Sequence, residues 1–586
     1  MKKKFAIAGY ICFAIYTISL LQTSATRYYN SIYNALPVWV WVVFSLGLAI
    51  GTLILYLGVK NHTRRLQIHG ISIVGCLIGV FWFYAELLGL RFWSAPGEDL
   101  LLHFGQGIAI AETGTISSEN IYPLLHTTLA QLHFITGLPV DRFGPVLSLL
   151  YYPLLLAGIV LLVRRYSSKR IALFVGVAAV PIFYWKYAHH LMPWVAYFAL
   201  IPLLVLMLSI HRSEVRSSQR SYIGMGILLL SFGIGIGHPM SGLVAMLVVA
   251  TIIVTQRLAG RWGFEEEYQQ PMEVLILSPL IVAYPMWYLI KSTFQGFLFR
   301  TVASFYSETT EAGSQAERAA ESGYTIWQII QRWIIEQWGP GLVILAIGAA
   351  VAVVILRRVI LREATVGEII ILSVYSIGIM VAVSTLTFDL VVNTEVYRPN
   401  QITIAAAIVL FGFALWWTTD HSEGRRGVVL RSVMVLILVL CVVWAPFTIY
   451  YEPQHISEQE FVGSEHHLEY RVEETTTYSD SMPRRISLYL EGLHEVSSWE
   501  NRAFGGTNSE LPKFLGYDKN RTVSESLERE EYYLITKERD TEWYKQEPTN
   551  RYPYLTYYTE ENVDRLHDDP TANKIYTNSG YSIWQG

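Results

Sequence analysis

The sequence has little charge for its length. Only 16% of the 586 residues are Asp, Glu, Lys or Arg, whereas 52% are hydrophobic, and the mean hydropathy is +0.33. A soluble chain of this size carries far more charge on its surface. The formal net charge of −4 also gives no basic surplus for nucleic acid. We therefore expect an integral membrane protein with no nucleic-acid partner.

Cysteine is also scarce. The three cysteines, Cys12, Cys76 and Cys441, all lie inside apolar stretches. This excludes a disulfide framework and a cysteine-based metal site. Metal-ligand motifs of the HExxH or CxxC kind do not occur in the chain. Any metal would have to be bound by dispersed histidines and acids.

Long apolar runs dominate the rest of the chain. Each is long enough to cross roughly 30 Å of hydrocarbon as a helix. They predict an all-α polytopic membrane protein with about thirteen transmembrane helices. The runs begin near Phe5, Leu36, Gly70, Gly144, Arg170, Pro193, Ile223, Ser241, Pro271, Gly341, Glu368, Ile402 and Val428.

Basic residues fall in alternate loops and predict the orientation. Lys2, Lys60, Arg164 and Arg357 belong to one set of loops, which the positive-inside rule assigns to the cytoplasm. The sequence thus predicts a plasma-membrane protein with a cytoplasmic N-terminus and an extracytoplasmic C-terminal domain. The first run is also compatible with a cleaved signal peptide, but its length favours a retained anchor.

Composition divides the chain into three regions. Residues 1–69 predict a transmembrane hairpin, and residues 70–450 a transmembrane module with external loops 93–143 and 291–339. Residues 451–586 are polar and rich in tyrosine, with strand-like alternation at 484–493, 531–540 and 573–584. They predict a small extracytoplasmic α/β domain.

The loop 93–143 contains the most unusual polar residues. Glu98 and Asp99 follow a Pro-Gly break and are expected in the first turn of a surface helix that Gly114 ends. Asp99 and His103 are four residues apart and share one face of that helix. The predicted helix also carries apolar residues that we expect to cover the lipid side: Leu100, Leu101, Phe104 and Ile108. Ionisable groups at this boundary are costly unless they have a function.

The segments Asp99-Leu-Leu-Leu-His103 and Tyr122-Pro-Leu-Leu-His126 resemble the first external loop of the GT-C superfamily of multi-pass membrane glycosyltransferases. The second long loop, 291–339, follows at the position expected for that superfamily. The resemblance implies transfer of a sugar, with inversion, from a polyprenyl (dolichyl or undecaprenyl) phosphate to a glycan, lipid or protein acceptor. It implies that Asp99 is the catalytic base, with Glu98 as its possible substitute. The alternative interpretation is purely structural: both acids only cap a helix.

The leaving phosphate needs a cation. Arg398 is expected at the external mouth of the twelfth span, where a guanidinium can bind phosphate through two hydrogen bonds. Its side chain could equally extend to the water–lipid boundary or pair with a nearby acid. Arg300, in the second long loop, is a weaker candidate. The further substrate-binding candidates are His103, Tyr122, His126 and His238, of which His103 and His238 are expected to act as hydrogen-bond donors.

A cofactor is not certain from the sequence. His189, His190 and His238 are expected at external turns and are candidates for binding a divalent metal such as Mg, Mn or Zn. Paired histidines at a helix end more often form hydrogen bonds than ligate metal.

A second class of function stays open at this point. Polytopic proteins with intramembrane charges include transporters and flippases of lipid-linked or small polar substrates. Their functional charges lie near the middle of the bilayer, whereas the polar groups here cluster at the outer boundary. That distribution favours an enzyme acting at the membrane surface.

Overall fold

The computed structural model describes most of the chain. The described residues are 2–24, 28–29, 31–88, 99–117, 120–181, 193–212, 217–264, 335–392, 400–449, 456–472, 475–479, 511–545 and 557–586, with Gln295, Trp327, Gln331 and Tyr489 as single positions.

The described residues before 450 form α-helices and two 3₁₀ turns, at Ile32–Ala35 and Val140–Arg142. The α-helices are α1 (Lys2–Leu21), α2 (Val38–Lys60), α3 (Arg64–Trp82), α4 (Tyr84–Leu87), α5 (Asp99–Thr113), α6 (Pro123–Thr136), α7 (Phe143–Tyr166), α8 (Lys169–Ala178), α9 (Pro193–Ala199), α10 (Ile201–Arg212), α11 (Ser217–Gly237), α12 (Pro239–Arg261), α13 (Gln337–Ile360), α14 (Val366–Val392), α15 (Asn400–Asp420), α16 (Gly424–Trp444) and α17 (Pro446–Ile449).

The polytopic helical architecture predicted from the sequence is confirmed. Within the described segments, nine helices are long and apolar enough to cross a membrane: α1, α2, α3, α7, α12, α13, α14, α15 and α16. Two shorter apolar helices cover Ala196–His211 and Ser221–Gly237. The expected count of thirteen is not reproduced. The run near Pro271 lies outside the described residues, and the run from Arg170 is described only as the 10 residues of α8.

Helix α15 lies at the centre of the bundle. It contacts α8, α13, α14 and α16. In its most apolar stretch, within Ile402–Asp420, 72% of the residues are buried. A side chain at Gly412 would clash with Val175 of α8, so glycine permits the two backbones to approach closely. Between α7, α10, α12, α14 and α15 lies a cavity of about 130 Å³ whose accessible lining is wholly apolar.

The loops segregate to two ends of the bundle. At one end, Arg170 contacts both His62 and Asp420. At the other, the Tyr84 hydroxyl donates to the Ile32 carbonyl at 2.7 Å, and the Tyr33 hydroxyl donates to that of Pro446. The basic loops therefore share an end, as their alternation predicts. Which end faces the cytoplasm stays a prediction.

The C-terminal region is a mixed α/β unit, as predicted. Its strands β1 (Thr477–Ser479), β2 (Tyr533–Lys537), β3 (Asn573–Thr577) and β4 (Tyr581–Gln585) form a sheet in the order β1-β2-β4-β3. Strands β1 and β2 are parallel, and the other two pairs are antiparallel. The accompanying helices are α18 (Glu458–Tyr470), a 3₁₀ segment Lys513–Lys519, α19 (Val523–Leu527), α20 (Glu538–Tyr544) and α21 (Glu560–Arg565). Of the expected strand at 484–493, only Tyr489 lies among the described residues.

Four buried charges, which we call the charge cluster, join α18 to the sheet. Lys537 Nζ lies 3.7 Å from a Glu460 oxygen and 3.4 Å from an Asp540 oxygen. Arg539 lies 3.6 Å from Glu460 and 3.7 Å from Asp540. Two cations thus neutralise two anions away from water, the condition under which buried charge is tolerated.

The apolar face of α5 contacts protein rather than lipid. Leu100, Leu101 and Phe104 form one buried cluster with residues of α6 and α7 and with Ile456, Phe461 and Tyr489. The Tyr489 hydroxyl also donates to Asp141 Oδ1 at 3.1 Å. The expectation that these residues cover lipid is therefore wrong. Periodicity identifies an apolar face but not what covers it.

Candidate active site

Two helices of the first external loop, α5 and α6, hold the candidate site. Helix α5 begins its described course at Asp99 and is followed by Gly114, whose φ of +69° suits glycine. Tyr122 is the N-cap of α6, Pro123 occupies its first turn, and Gly137 ends it at φ +70°. The end of α5 at Gly114 is therefore the one that the sequence predicts.

The two helices meet through a pair of buried histidines. His103 Nδ1 of α5 lies 2.9 Å from His126 Nε2 of α6. The two residues are only 4% and 2% exposed. Burial, and secondly the neighbouring His103, lower the pKa of His126 well below its usual value. His126 is therefore neutral at physiological pH.

Asn120 anchors the other side of His126. Its Oδ1 accepts from the Tyr122 backbone N–H at 2.9 Å and lies 3.0 Å from His126 Nδ1. Its Nδ2 donates to Gln106 Oε1 of α5 at 3.4 Å. Asn120 and Gln106 are buried as well. A continuous hydrogen-bonded chain thus runs from the start of α6 through His126 to His103.

Tyr122 and His238 complete the group. The Tyr122 ring stands edge-on to His103, with ring centroids 5.4 Å apart. It stacks on His238 at 5.3 Å with an interplanar angle of 8°. His238 is the N-cap of α12, and its Nδ1 accepts from the Met240 backbone N–H at 3.2 Å. We call these six residues the histidine cluster: His103, Gln106, Asn120, Tyr122, His126 and His238.

The structure brings together four of the residues singled out from the sequence, namely His103, Tyr122, His126 and His238. Asp99 is the first described residue of α5, one turn before His103, but its side chain lies outside the described part. The remaining candidates lie wholly outside the described residues: Glu98, His189, His190, Arg300 and Arg398.

Sequence reasoning missed Asn120 and Gln106. The available signals were weak: Asn120 is two residues before Tyr122, the N-cap of α6, a position typical of an Asx turn. Gln106 is three residues after His103 on the same face. Neither amide forms a motif by itself.

In the histidine cluster, hydrogen bonds engage several of the ring nitrogens that could otherwise bind a metal ion. Both ring nitrogens of His126 are engaged in hydrogen bonds, and Nδ1 of His238 accepts one from the backbone. A metal ligand needs a free imidazole lone pair. Within the described segments, no group of three or more His, Cys, Asp or Glu is placed to hold a metal.

Solved structures of membrane transferases align with this chain at low identity. The apo oligosaccharyltransferase of Archaeoglobus fulgidus has 10% identity and a TM-score of 0.46, covering 83% of this chain and 71% of its own. The complex of the same organism's enzyme AglB with an inhibitory peptide and a dolichol-phosphate has 10% identity and a TM-score of 0.42, with coverages of 79% and 69%. ArnT from Cupriavidus metallidurans bound to undecaprenyl phosphate has 12% identity and a TM-score of 0.40, with coverages of 88% and 97%.

No protein-family model and no curated protein sequence matches the chain. At these identities and TM-scores the structural matches assign neither a superfamily nor a residue role to this chain.

Proposed function

We propose that this protein is an inverting membrane glycosyltransferase. It would transfer a sugar from a polyprenyl (dolichyl or undecaprenyl) phosphate to a glycan, lipid or protein acceptor at the outer face of the membrane. One observation carries the proposal: a buried, hydrogen-bonded histidine cluster lies one helical turn from Asp99, at the opening of the first external loop. Buried polar groups next to an acid at a helix start are typical of a functional site rather than of a hydrophobic core.

Asp99 is the proposed base, and Glu98 its proposed substitute. The carboxylate takes the proton of the acceptor group as that group attacks the anomeric carbon, and the bond to the lipid phosphate breaks on the opposite face of the sugar. General-base catalysis of this kind contributes about 10²–10⁴-fold. The start of α5 favours the ionised carboxylate through the positive end of the helix dipole.

Arg398 is proposed to bind the leaving phosphate, with Arg300 as the second candidate. Arg398 is two residues before the start of α15 at Asn400. An anion there would meet both the guanidinium and the positive end of the helix dipole.

The apolar cavity supports a lipid-linked donor. Ile402, four residues after Arg398, lines the cavity together with Ala405, Ala406 and Val409 of the same helix. Its hydrocarbon lining matches a polyprenyl chain.

The proposal includes a divalent cation whose ligands are residues outside the histidine cluster. Glu98, Asp99, His189 and His190 are the proposed ligands for Mg²⁺, Mn²⁺ or Zn²⁺, because carboxylates and imidazoles suit these ions. Treatment with EDTA before the assay tests this. Loss of transfer that one of the ions restores would support a metal, whereas unchanged transfer would contradict it.

The topology is proposed from the loops. The basic end faces the cytoplasm, and the C-terminal domain, residues 451–586, faces outward from the plasma membrane. The hairpin 1–69 and the module 70–450 are proposed as the two membrane regions. Labelling of single cysteines at exposed Asn61 and exposed Glu528 by an impermeant thiol reagent on intact cells tests this. Only the second should react.

A transporter is not favoured. In the described parts of the spans, Glu368 is the buried acid, and it pairs with Arg358 at the end of the helix rather than at the bilayer centre. Transporters place functional charges near the midplane.

The test of the proposal is transfer of labelled sugar from polyprenyl-phosphate donors by the purified full chain. Asp99→Asn should abolish transfer and leave the thermal unfolding temperature unchanged. Glu112→Gln is the matched control, because Glu112 is an exposed acid at the other end of α5. No transfer by the wild-type protein across a broad panel of donors and acceptors would overturn the proposal.

A further inference from the structure

The last turn of α6, a helix of the first external loop, exposes three large hydrophobic side chains. Phe134 is 66% exposed, Ile135 80% and Leu138 51%. We call these three residues the apolar tip. The opposite face of α6 is buried, with Leu125 and Leu129 in the cluster that it shares with α5. Single exposed hydrophobic residues need no explanation, but three so close together form a patch that marks an interaction surface.

The polar groups beside the apolar tip are bonded within the turn itself. The His133 ring donates from Nδ1 to the Leu138 carbonyl at 2.7 Å. The Thr136 hydroxyl donates to the Leu132 carbonyl at 2.7 Å and accepts from the Leu138 N–H at 3.2 Å. The Gly137 N–H donates to the His133 carbonyl at 2.8 Å. A helix end in water can leave such groups to solvent, whereas one in lipid must satisfy them internally.

Charge is missing from this part of the chain. Residues 120–140 contain no Asp, Glu, Lys or Arg. Helix α18, an external helix of similar length, instead exposes Glu465 and Glu469. A surface helix that exposes large apolar residues and no charge suits lipid better than water.

The course of α6 places the apolar tip at the level of the bilayer surface. At the start of α6, Tyr122 stacks on His238, the N-cap of α12. At its end, the 3₁₀ turn Val140–Arg142 leads directly into α7 at Phe143. Both α7 and α12 are long and apolar enough to cross a membrane. Helix α6 therefore runs over the end of the bundle, between the starts of two spans.

Beyond the apolar tip, the chain continues into a side of α7 that is exposed and apolar. Val146 and Leu150 of that helix are 49% and 53% exposed. Between them and the tip, Arg142 is exposed, and its Nε lies 3.8 Å from Asp141 Oδ2. A long cationic side chain at this boundary can reach the lipid phosphates. Apolar surface is thus exposed on both sides of a polar pair, as expected where a chain passes the headgroup layer.

We infer that the apolar tip lies in the hydrocarbon edge of the leaflet on the side of the C-terminal domain, and that it anchors the first external loop to the bilayer. The partner is lipid rather than protein, because the turn satisfies its own polar groups and offers no charge for a protein to pair with. The apolar tip thus takes the role that the sequence predicts for the apolar face of α5. It fixes α6, the helix that carries His126, at the lipid boundary.

Spin labels measure the depth of the apolar tip directly. The full chain, with its three native cysteines replaced by alanine, is labelled at a single new cysteine and reconstituted in phosphatidylcholine vesicles. At Ile135→Cys we expect oxygen, which concentrates in hydrocarbon, to relax the label more than a water-soluble nickel chelate does. Val353→Cys, at a position 67% exposed in the span α13, is the reference for hydrocarbon. Glu528→Cys, exposed on the C-terminal domain, is the reference for water and should show the reverse order.

Two results at Ile135 would overturn the inference. A label that the nickel chelate relaxes as strongly as at Glu528 would place the apolar tip in water. A label that neither reagent reaches would mean that protein covers it. Both results stand whether or not the protein transfers sugar, so failure of this inference and failure of the proposed function are distinguishable.

A charge in the apolar tip should withdraw it from the bilayer. In a protein labelled at Leu138→Cys, Ile135→Asp should move the label from oxygen-accessible to chelate-accessible, because a carboxylate in hydrocarbon is costly. Ile135→Leu should leave the depth unchanged. Ile575→Asp is the matched control, because Ile575 is 51% exposed on β3 of the C-terminal domain. An unmoved label in the Ile135→Asp protein would mean that the rest of the fold, and not lipid, sets the depth of this turn, and would overturn the anchoring role.

Discussion

Two clusters of buried polar side chains lie at the same end of the bundle and compensate the cost of leaving water in different ways. The histidine cluster joins α5, α6 and α12 through imidazole, amide and phenol groups, whereas the charge cluster joins α18 to the sheet through two cations and two anions. In the charge cluster each charged side chain lies within 4 Å of charges of the opposite sign. In the histidine cluster, rings that can both donate and accept are joined by hydrogen bonds. The first arrangement stabilises a fold, and the second is suited to chemistry.

The largest effect should follow from breaking the charge cluster. Glu460→Ala leaves Lys537 and Arg539 with one buried carboxylate between them, and loss of one partner of a buried ion pair costs about 3–5 kcal/mol. We expect a large fall in thermal stability but an unchanged transfer rate per folded molecule. Glu465→Ala, an exposed acid on the same helix, is the control. A Glu460→Ala protein with wild-type thermal stability but no sugar transfer would contradict the assignment of the charge cluster to stability alone.

Acid should weaken the C-terminal domain through His467. Burial, more than the nearby Arg471 and His466, lowers the pKa of His467 to about 3, and its Nε2 lies 3.0 Å from the Thr477 hydroxyl. Below the ordinary histidine pKa of about 6.5 the unfolded chain binds the proton and the folded one does not. The free energy of unfolding should therefore fall by about 1.4 kcal/mol per pH unit as the pH drops from there towards 3.

His467→Gln should flatten this pH dependence, because glutamine can still bond Thr477 without titrating. Unfolding temperatures measured between pH 7 and pH 4 give the slope. His466→Gln, its neighbour on α18, serves as the comparison. Equal slopes in the wild-type and His467→Gln proteins would contradict the assignment.

A smaller effect is expected at the end of α6. Gly137 has φ +70° and an open surrounding, so Gly137→Ala costs about 1–2 kcal/mol through backbone strain alone. Gly79→Ala, also with open space around it but without a positive φ, should not destabilise the protein. If the Gly137 variant also slows transfer, the helix end contributes to positioning His126.

The smallest effect should come from Tyr489→Phe. It removes the hydrogen bond to Asp141 and keeps the ring in contact with Phe104 and Phe461. A single hydrogen bond of this kind contributes about 1 kcal/mol. The loss of stability is measured by thermal unfolding, with protease cleavage within residues 451–586 as the probe of unfolding. A much larger loss would mean that this contact, rather than the apolar packing, holds the domain on the first external loop.

The sequence predicts local features of the site and not its tertiary ones. Gly114 marks the end of α5, and Pro123 the start of α6, because their backbone preferences act locally. The pairing of His103 with His126 depends on how the two helices pack, and no spacing encodes it. His238 reaches the cluster from more than one hundred positions away. An apolar helix face has the same pattern whether lipid or a domain covers it, which is why the surroundings of Leu100 and Phe104 were predicted wrongly.

The packing of α5 against the C-terminal domain has a consequence for synthesis. The apolar cluster around Leu101 contains residues near 100–147 and others near 456–489, which emerge from the ribosome roughly 300 residues later. At about 5–20 residues per second, this leaves an interval on the order of tens of seconds. During that time the apolar face of α5 lacks its partners near residues 456–489. A newly made chain therefore exposes this face to chaperones or to the lipid surface until its last region arrives.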